Sequence, residues 1–202
     1  MAGKPFPARL AAHPPLPAPL HLLVDHRRHC RFAGGASVNL FILSGPVESG
    51  KTSALLAWAR QRSDVRGILM PGNGADRQFL NLSTYESWPA IAAAGGAGAI
   101  EVGRYSFSPA AFARAKAVIV NGGEAAGGWL LLDEIGKLEL RGEGFDTALR
   151  GLLRGSNSGS GPDALLLVVR DSLLEAVTDR YGLAAARVLR SPSELPAALP
   201  NS

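Results

Sequence analysis

The chain predicts an α/β fold with a mostly parallel central sheet, and three observations carry that reading. Short apolar runs of strand length alternate with helix-forming stretches, the pattern of a sheet covered on both faces. One run, Ala164-Leu-Leu-Leu-Val-Val169, is apolar at every position, as a strand buried on both faces must be. Gly45-Pro-Val-Glu-Ser-Gly-Lys-Thr52 fits G-x-x-x-x-G-K-[ST] and lies between the β-rich run 38–43 and the helix former 53–60. In that order, the loop amides and the helix N-terminus turn toward an anion. Gly45 and Gly50 are expected to supply the backbone angles and close approach that a Cβ would block. Glu48 is expected to turn its side chain outward while its amide serves the ligand.

Residues 1–20 are rich in Pro and Ala, so neither a helix nor a central strand is expected there. The next segment carries His21, His26, His29 and Cys30, but its spacing matches no zinc pattern, and a short strand or helix with a basic end is expected instead. Residues 33–37 lead into the strand before the phosphate loop. Residues 65–70 read as a second strand closed by Pro71-Gly72, with Asn73-Gly74 making a further turn. Residues 77–82 and 99–107 alternate polar and apolar, which predicts an antiparallel β-insert against the parallel core. Buried positions expected in the second stretch are Ile100, Val102, Tyr105 and Phe107. Ser108-Pro109 starts a helix with a capping hydroxyl and proline at its first position, and Asn121-Gly122-Gly123 is expected to end it.

Farther on, residues 129–133 are a short apolar strand ending in an acid, 145–154 a helix, and 156–161 a Ser/Gly loop. Asp171 is expected to cap a helix that runs to Tyr181, and 184–189 to form the last strand. The organisation read from this is a Pro-rich, partly disordered lead-in over 1–37, one domain over 38–192 and a loose tail over 193–202.

The 202 residues suffice for one α/β core. Apolar residues make up 47% and charged residues 19%, ordinary values for a globular chain. A net charge of +4, with its basic residues scattered apart from one short cluster near the N-terminus, argues against nucleic acid as the partner. The single cysteine excludes a disulfide framework within the chain. No apolar run approaches the ~20 residues of a membrane helix, so a cytoplasmic location and no membrane partner are expected.

A second motif gives the first its chemistry. Trp129-Leu-Leu-Leu-Asp133-Glu134 is a buried-strand pattern ending in two acids, the form of a Walker B element at the end of a neighbouring strand. Asp133 is suited to hold Mg2+ together with Thr52, and Glu134 to polarise a water. Lys51 is suited to reach the β- and γ-phosphates. Positive charge for the transition state is sought in Arg170, in Arg77 and Arg104 from the insert, and in Arg141 and Lys137 after the acids.

Asp133-Glu-Ile-Gly-Lys-Leu-Glu-Leu140 resembles the D-E-I-G-K-M-E-L signature of the THEP1-like nucleoside-triphosphatases. Gly67-Ile-Leu-Met-Pro-Gly72 and Val102-Gly-Arg-Tyr-Ser-Phe107 are similar to segments of the same family, in the same order, and the likeness spans roughly 38–190. The resemblance implies a three-layer, RecA/ASCE-like P-loop NTPase fold and Mg2+-dependent hydrolysis of ATP, GTP or other nucleoside 5′-triphosphates. It assigns phosphate binding to Gly45, Pro46, Val47, Glu48, Ser49, Gly50, Lys51 and Thr52, and metal and water positioning to Asp133 and Glu134. Residues 189–192 depart from the family pattern at the last strand's end, and nothing before residue 33 has a counterpart.

Two other readings remain open at this point. One is a P-loop kinase whose acceptor binds in the 73–107 insert, although no clustered Arg/Lys lid is visible in the sequence. The other is a nucleotide-gated accessory protein with slow turnover and an unknown protein partner.

Overall fold

A computed structural model describes residues 30–31, 37–92, 98–155 and 161–195. Its strands are β1 (Cys30–Arg31), β2 (Ser37–Gly45), β3 (Val65–Leu69), β4 (Gln78–Asn81), β5 (Ser87–Pro89), β6 (Ile100–Val102), β7 (Tyr105–Phe107), β8 (Trp129–Ile135), β9 (Ala164–Arg170) and β10 (Arg187–Leu189). Its α-helices are α1 (Lys51–Ala59), α2 (Pro109–Glu124), α3 (Lys137–Leu140), α4 (Asp146–Arg154) and α5 (Leu174–Tyr181).

The main sheet runs β1-β2-β9-β8-β3-β4-β5, and β10 also pairs with β2. Strands β10, β2, β9, β8 and β3 are mutually parallel, so their carboxyl ends share one edge. Antiparallel β4 and β5 extend the sheet beyond β3, and β6–β7 form a separate hairpin. The β-insert is therefore split between a sheet extension and a hairpin. Strand β9 lies between β2 and β8, so the acids end a strand one removed from the phosphate-loop strand rather than its neighbour.

Alternating side chains of the central strands feed two cores. On one face Leu40 and Ile42 of β2, Leu130 and Leu132 of β8, and Leu165 and Leu167 of β9 pack with α2, α4 and α5. On the other face Phe41, Leu43, Leu131 and Leu166 pack with Leu55 and Ala59 of α1 and with Leu195. The result is three layers, with the period-2 pattern of the strands setting which residue faces which helix.

Three local expectations need correction. Helix α2 runs through Gly122-Gly123 to Glu124. Both glycines are buried: a Cβ on Gly122 would lie 2.8 Å from Leu130 Cδ1, and one on Gly123 2.2 Å from Leu152 Cδ2. They serve close packing there, not termination. Arg66 takes over the stop by donating to the carbonyls of Gly122 and Gly127, each at 2.6 Å, and to that of Ala125. Asp171 opens a 3-10 turn (Asp171–Leu173) and α5 begins only at Leu174. The last strand is limited to Arg187–Leu189. Beyond it Ser191 and Glu194 close a capping box and Leu195 is buried. Residues 1–29, with His21, His26 and His29, and most of the 156–161 loop lie outside the described residues.

Candidate active site

The phosphate loop leaves β2 at Gly45 and enters α1 at Lys51. Glu48 and Gly50 adopt left-handed φ values of 58° and 77°, which turns successive amides of the loop to one side. Helix α1 has no side-chain cap, so its first amides remain open to an anion. Gly45 departs from expectation: a Cβ there would meet Ser49 Oγ at 3.6 Å and Lys51 Cδ at 3.7 Å, ordinary contacts. The left-handed backbone falls on Gly50, not Gly45. The Lys51 ammonium donates to Gly45 O and Ser49 Oγ, each at 3.0 Å, and to Pro46 O.

The two motifs meet in one hydrogen bond. Thr52 Oγ1 donates to Asp133 Oδ2 at 2.9 Å, across the width of β9. Asp133 also accepts from the amides of Met70 (3.1 Å) and Glu134 (2.8 Å) and is only 2% exposed. Burial pushes its carboxyl up to about 6, the nearby Glu134 charge adds to the rise, and the three hydrogen bonds oppose it. Thr52 and Asp133 form a hard-oxygen pair, and their 2.9 Å separation is close to the edge, ~2.9 Å, of an octahedron of oxygens lying 2.0–2.1 Å from Mg2+. The pair fits that ion, and these two residues would hold it.

Glu134 is set apart by its backbone. Its φ is 60°, and the pairing of β8 with β9 shifts register between Leu132 and Ile135. This bulge lifts Glu134 out of the ladder and aims it at the sheet edge. Its two carboxylate oxygens are divided between two guanidinium groups: Arg170 Nη2 at 3.0 Å from Oε2 and Arg77 Nη1 at 3.6 Å from Oε1. Loop, acids and both arginines wall one cavity of about 230 Å3 at the carboxyl edge of the strands.

The other cations are elsewhere. Arg104 and Lys137 line an adjoining cavity and not the phosphate-loop cavity. The hairpin turn carries Arg104 over Tyr105, whose hydroxyl accepts from its Nε (3.0 Å) and Nη2 (2.8 Å). Arg141 donates to Glu101 O and Glu143, and lines neither cavity. Glu139, not singled out from the sequence, is buried and organises the loop after the acids. Its carboxylate accepts from the amides of Gly136 and Phe145, each at 2.8 Å. Its place three residues after Gly136, in a capping-box position, is the signal that could have found it.

A glycine loop at the end of β2, an acid-tipped β8 and a strand inserted between them define a P-loop NTPase fold. Solved structures agree. The chain resembles a human cancer-related nucleoside triphosphatase (22% identity, TM-score 0.53), covering 78% of this chain and 90% of that one. It also resembles THEP1 from the hyperthermophile Aquifex aeolicus (15% identity, TM-score 0.55), covering 75% of this chain and 88% of that one. No protein-family model and no curated protein matches the chain.

Proposed function

We propose that the chain is a Mg2+-dependent nucleoside triphosphatase of the THEP1-like kind, converting ATP, GTP or other nucleoside 5′-triphosphates to diphosphate and phosphate. The observation that carries this reading is the Thr52–Asp133 hydrogen bond of 2.9 Å beside Glu134, which joins phosphate loop and acids in one cavity. The names of the two structural neighbours, a nucleoside triphosphatase and THEP1, support it.

In this reading the loop amides and the α1 N-terminus bind the phosphate oxygens. Lys51 exchanges the loop carbonyls for the β- and γ-phosphates. Thr52 and Asp133 would hold Mg2+, which would supply neutralisation of phosphate charge. A γ-phosphate arriving between Arg77 and Arg170 competes with Glu134 for their guanidinium groups, so the carboxylate is released as positive charge moves to the phosphate. Glu134 then orients a water and accepts its proton. The water oxygen bonds to the γ-phosphorus, the bridging P–O bond breaks, and the diphosphate leaves with the electron pair.

The test is phosphate release from ATP, GTP, CTP and UTP by the purified chain. Release is expected only with Mg2+, and Lys51→Ala should reduce it by about 100-fold or more, the scale of a lost transition-state charge contact. Undiminished release by Lys51→Ala would assign the activity to a contaminant.

A further inference from the structure

Across Glu134 from the phosphate loop lies a second cavity of about 180 Å3, beneath the β6–β7 hairpin. For scale, an apolar protein cavity of about 150 Å3 admits a benzene ring. Its inner wall is aromatic: Phe107 and Phe112 are 4% and 3% exposed, and their rings lie 5.7 Å apart. Four cations reach it, Arg77, Arg104, Lys137 and Arg170. The sequence scatters these over nearly a hundred positions, which is why no basic lid is visible there.

Among the described residues lining the cavity two are acids, Glu134 and Glu139. Both carboxylate oxygens of Glu139 are already committed to backbone amides. The cavity therefore carries surplus positive charge over an apolar wall. Arg77 has an unmet need as well: its Nε is buried and has no hydrogen-bond partner among the described residues. A buried donor left unpaired is costly. Lys137 has no acidic partner among the described residues.

We propose that this cavity is a second small-molecule site, taking an organic anion whose carboxylate or phosphate meets the Arg104–Lys137 rim and whose ring-sized apolar body rests on Phe107 and Phe112. Arg77, Glu134 and Arg170 form the wall it shares with the phosphate-loop cavity. An occupant therefore sits where a second substrate would face Glu134. That role rests on the nucleotide occupying the phosphate loop; the binding itself does not.

The experiment titrates benzoate and phenyl phosphate into the full chain saturated with ADP and Mg2+, followed by ligand-observed NMR. Binding is expected to persist under ADP and in Lys51→Ala, where an anion seated in the phosphate loop would be lost. Arg104→Ala and Lys137→Ala, both exposed and so compatible with the fold, should each weaken binding about three- to five-fold, the scale of a solvent-facing charge contact. Uncharged benzamide should bind more weakly than benzoate by a similar factor. Competition by ADP, loss in Lys51→Ala, or binding indifferent to the rim substitutions would overturn the proposal. Absence of phosphate release, in contrast, would overturn only the hydrolase reading and leave the binding result standing.

Discussion

Asp133 serves two opposed ends. Its burial is unfavourable to the charged form and lifts its carboxyl to about 6, while the proposed role in holding Mg2+ needs that charged form. In the native state it therefore holds its proton through a window where the unfolded chain, near the usual 3.8, has lost it. Stability from this group falls as pH rises through that window, and the penalty is complete above about pH 6. Asp133→Asn removes the penalty. The Tm of Asp133→Asn minus that of the native chain should grow by roughly 4–8 °C between pH 4.5 and 7.5, for about 2 kcal/mol. In kinetics kcat/KM should fall below about pH 6 as Asp133 in the free enzyme protonates. A Tm difference and a kcat/KM both flat with pH would refute the assignment.

At this scale the sequence is partly legible. A run of apolar residues ending in Asp133-Glu134 can be read directly, because polarity and charge change sharply at one point. The left-handed backbone of Glu134 and its division between Arg77 and Arg170 could not be read, because each depends on a partner distant in the chain.

Among the elements, β3 depends on one glycine within it. Gly67 sits mid-strand with φ 115°, and a Cβ there would lie 2.1 Å from Leu131 O. The glycine lets β3 close on β8 and thereby holds Met70 N within reach of Asp133. Gly67→Ala should cost about 3 kcal/mol or more, from overpacking added to a disfavoured backbone, measured by urea unfolding. A change below about 1 kcal/mol would mean that the strands can separate freely, against the tight packing of interiors.

The end of α2 makes a second test. Arg66 satisfies three carbonyls there with one fork. Arg66→Ala should lower stability by about 2–3 kcal/mol, and Arg66→Lys should recover only part, since a single ammonium cannot span them. Full recovery by lysine would reduce the role to charge. The Ser108-Pro109 start of α2 was readable because capping is local. Its end was not, because Gly122-Gly123 resembles a stop signal until the partners Leu130, Leu152 and Arg66 are known.

For the whole molecule, the sheet order puts the phosphate loop, both acids and Arg170 at one edge. Strand alternation and the all-apolar β9 made the layered α/β fold legible. The insertion of β9 between β2 and β8 was not, since periodicity reports burial and not strand neighbours. That order sets the distance over which Thr52 and Asp133 must meet, and it puts Glu134 beyond them, between two cavities.

In the proposed reaction Glu134 activates water for attack on a triphosphate held by the loop. Phosphate release by Glu134→Gln tests it most directly, measured beside the rise in Tm on adding nucleotide and Mg2+. The Tm rise should survive, because glutamine leaves the loop intact, while release falls by about 100-fold or more. Release equal to that of the native chain, with nucleotide still bound, would contradict it.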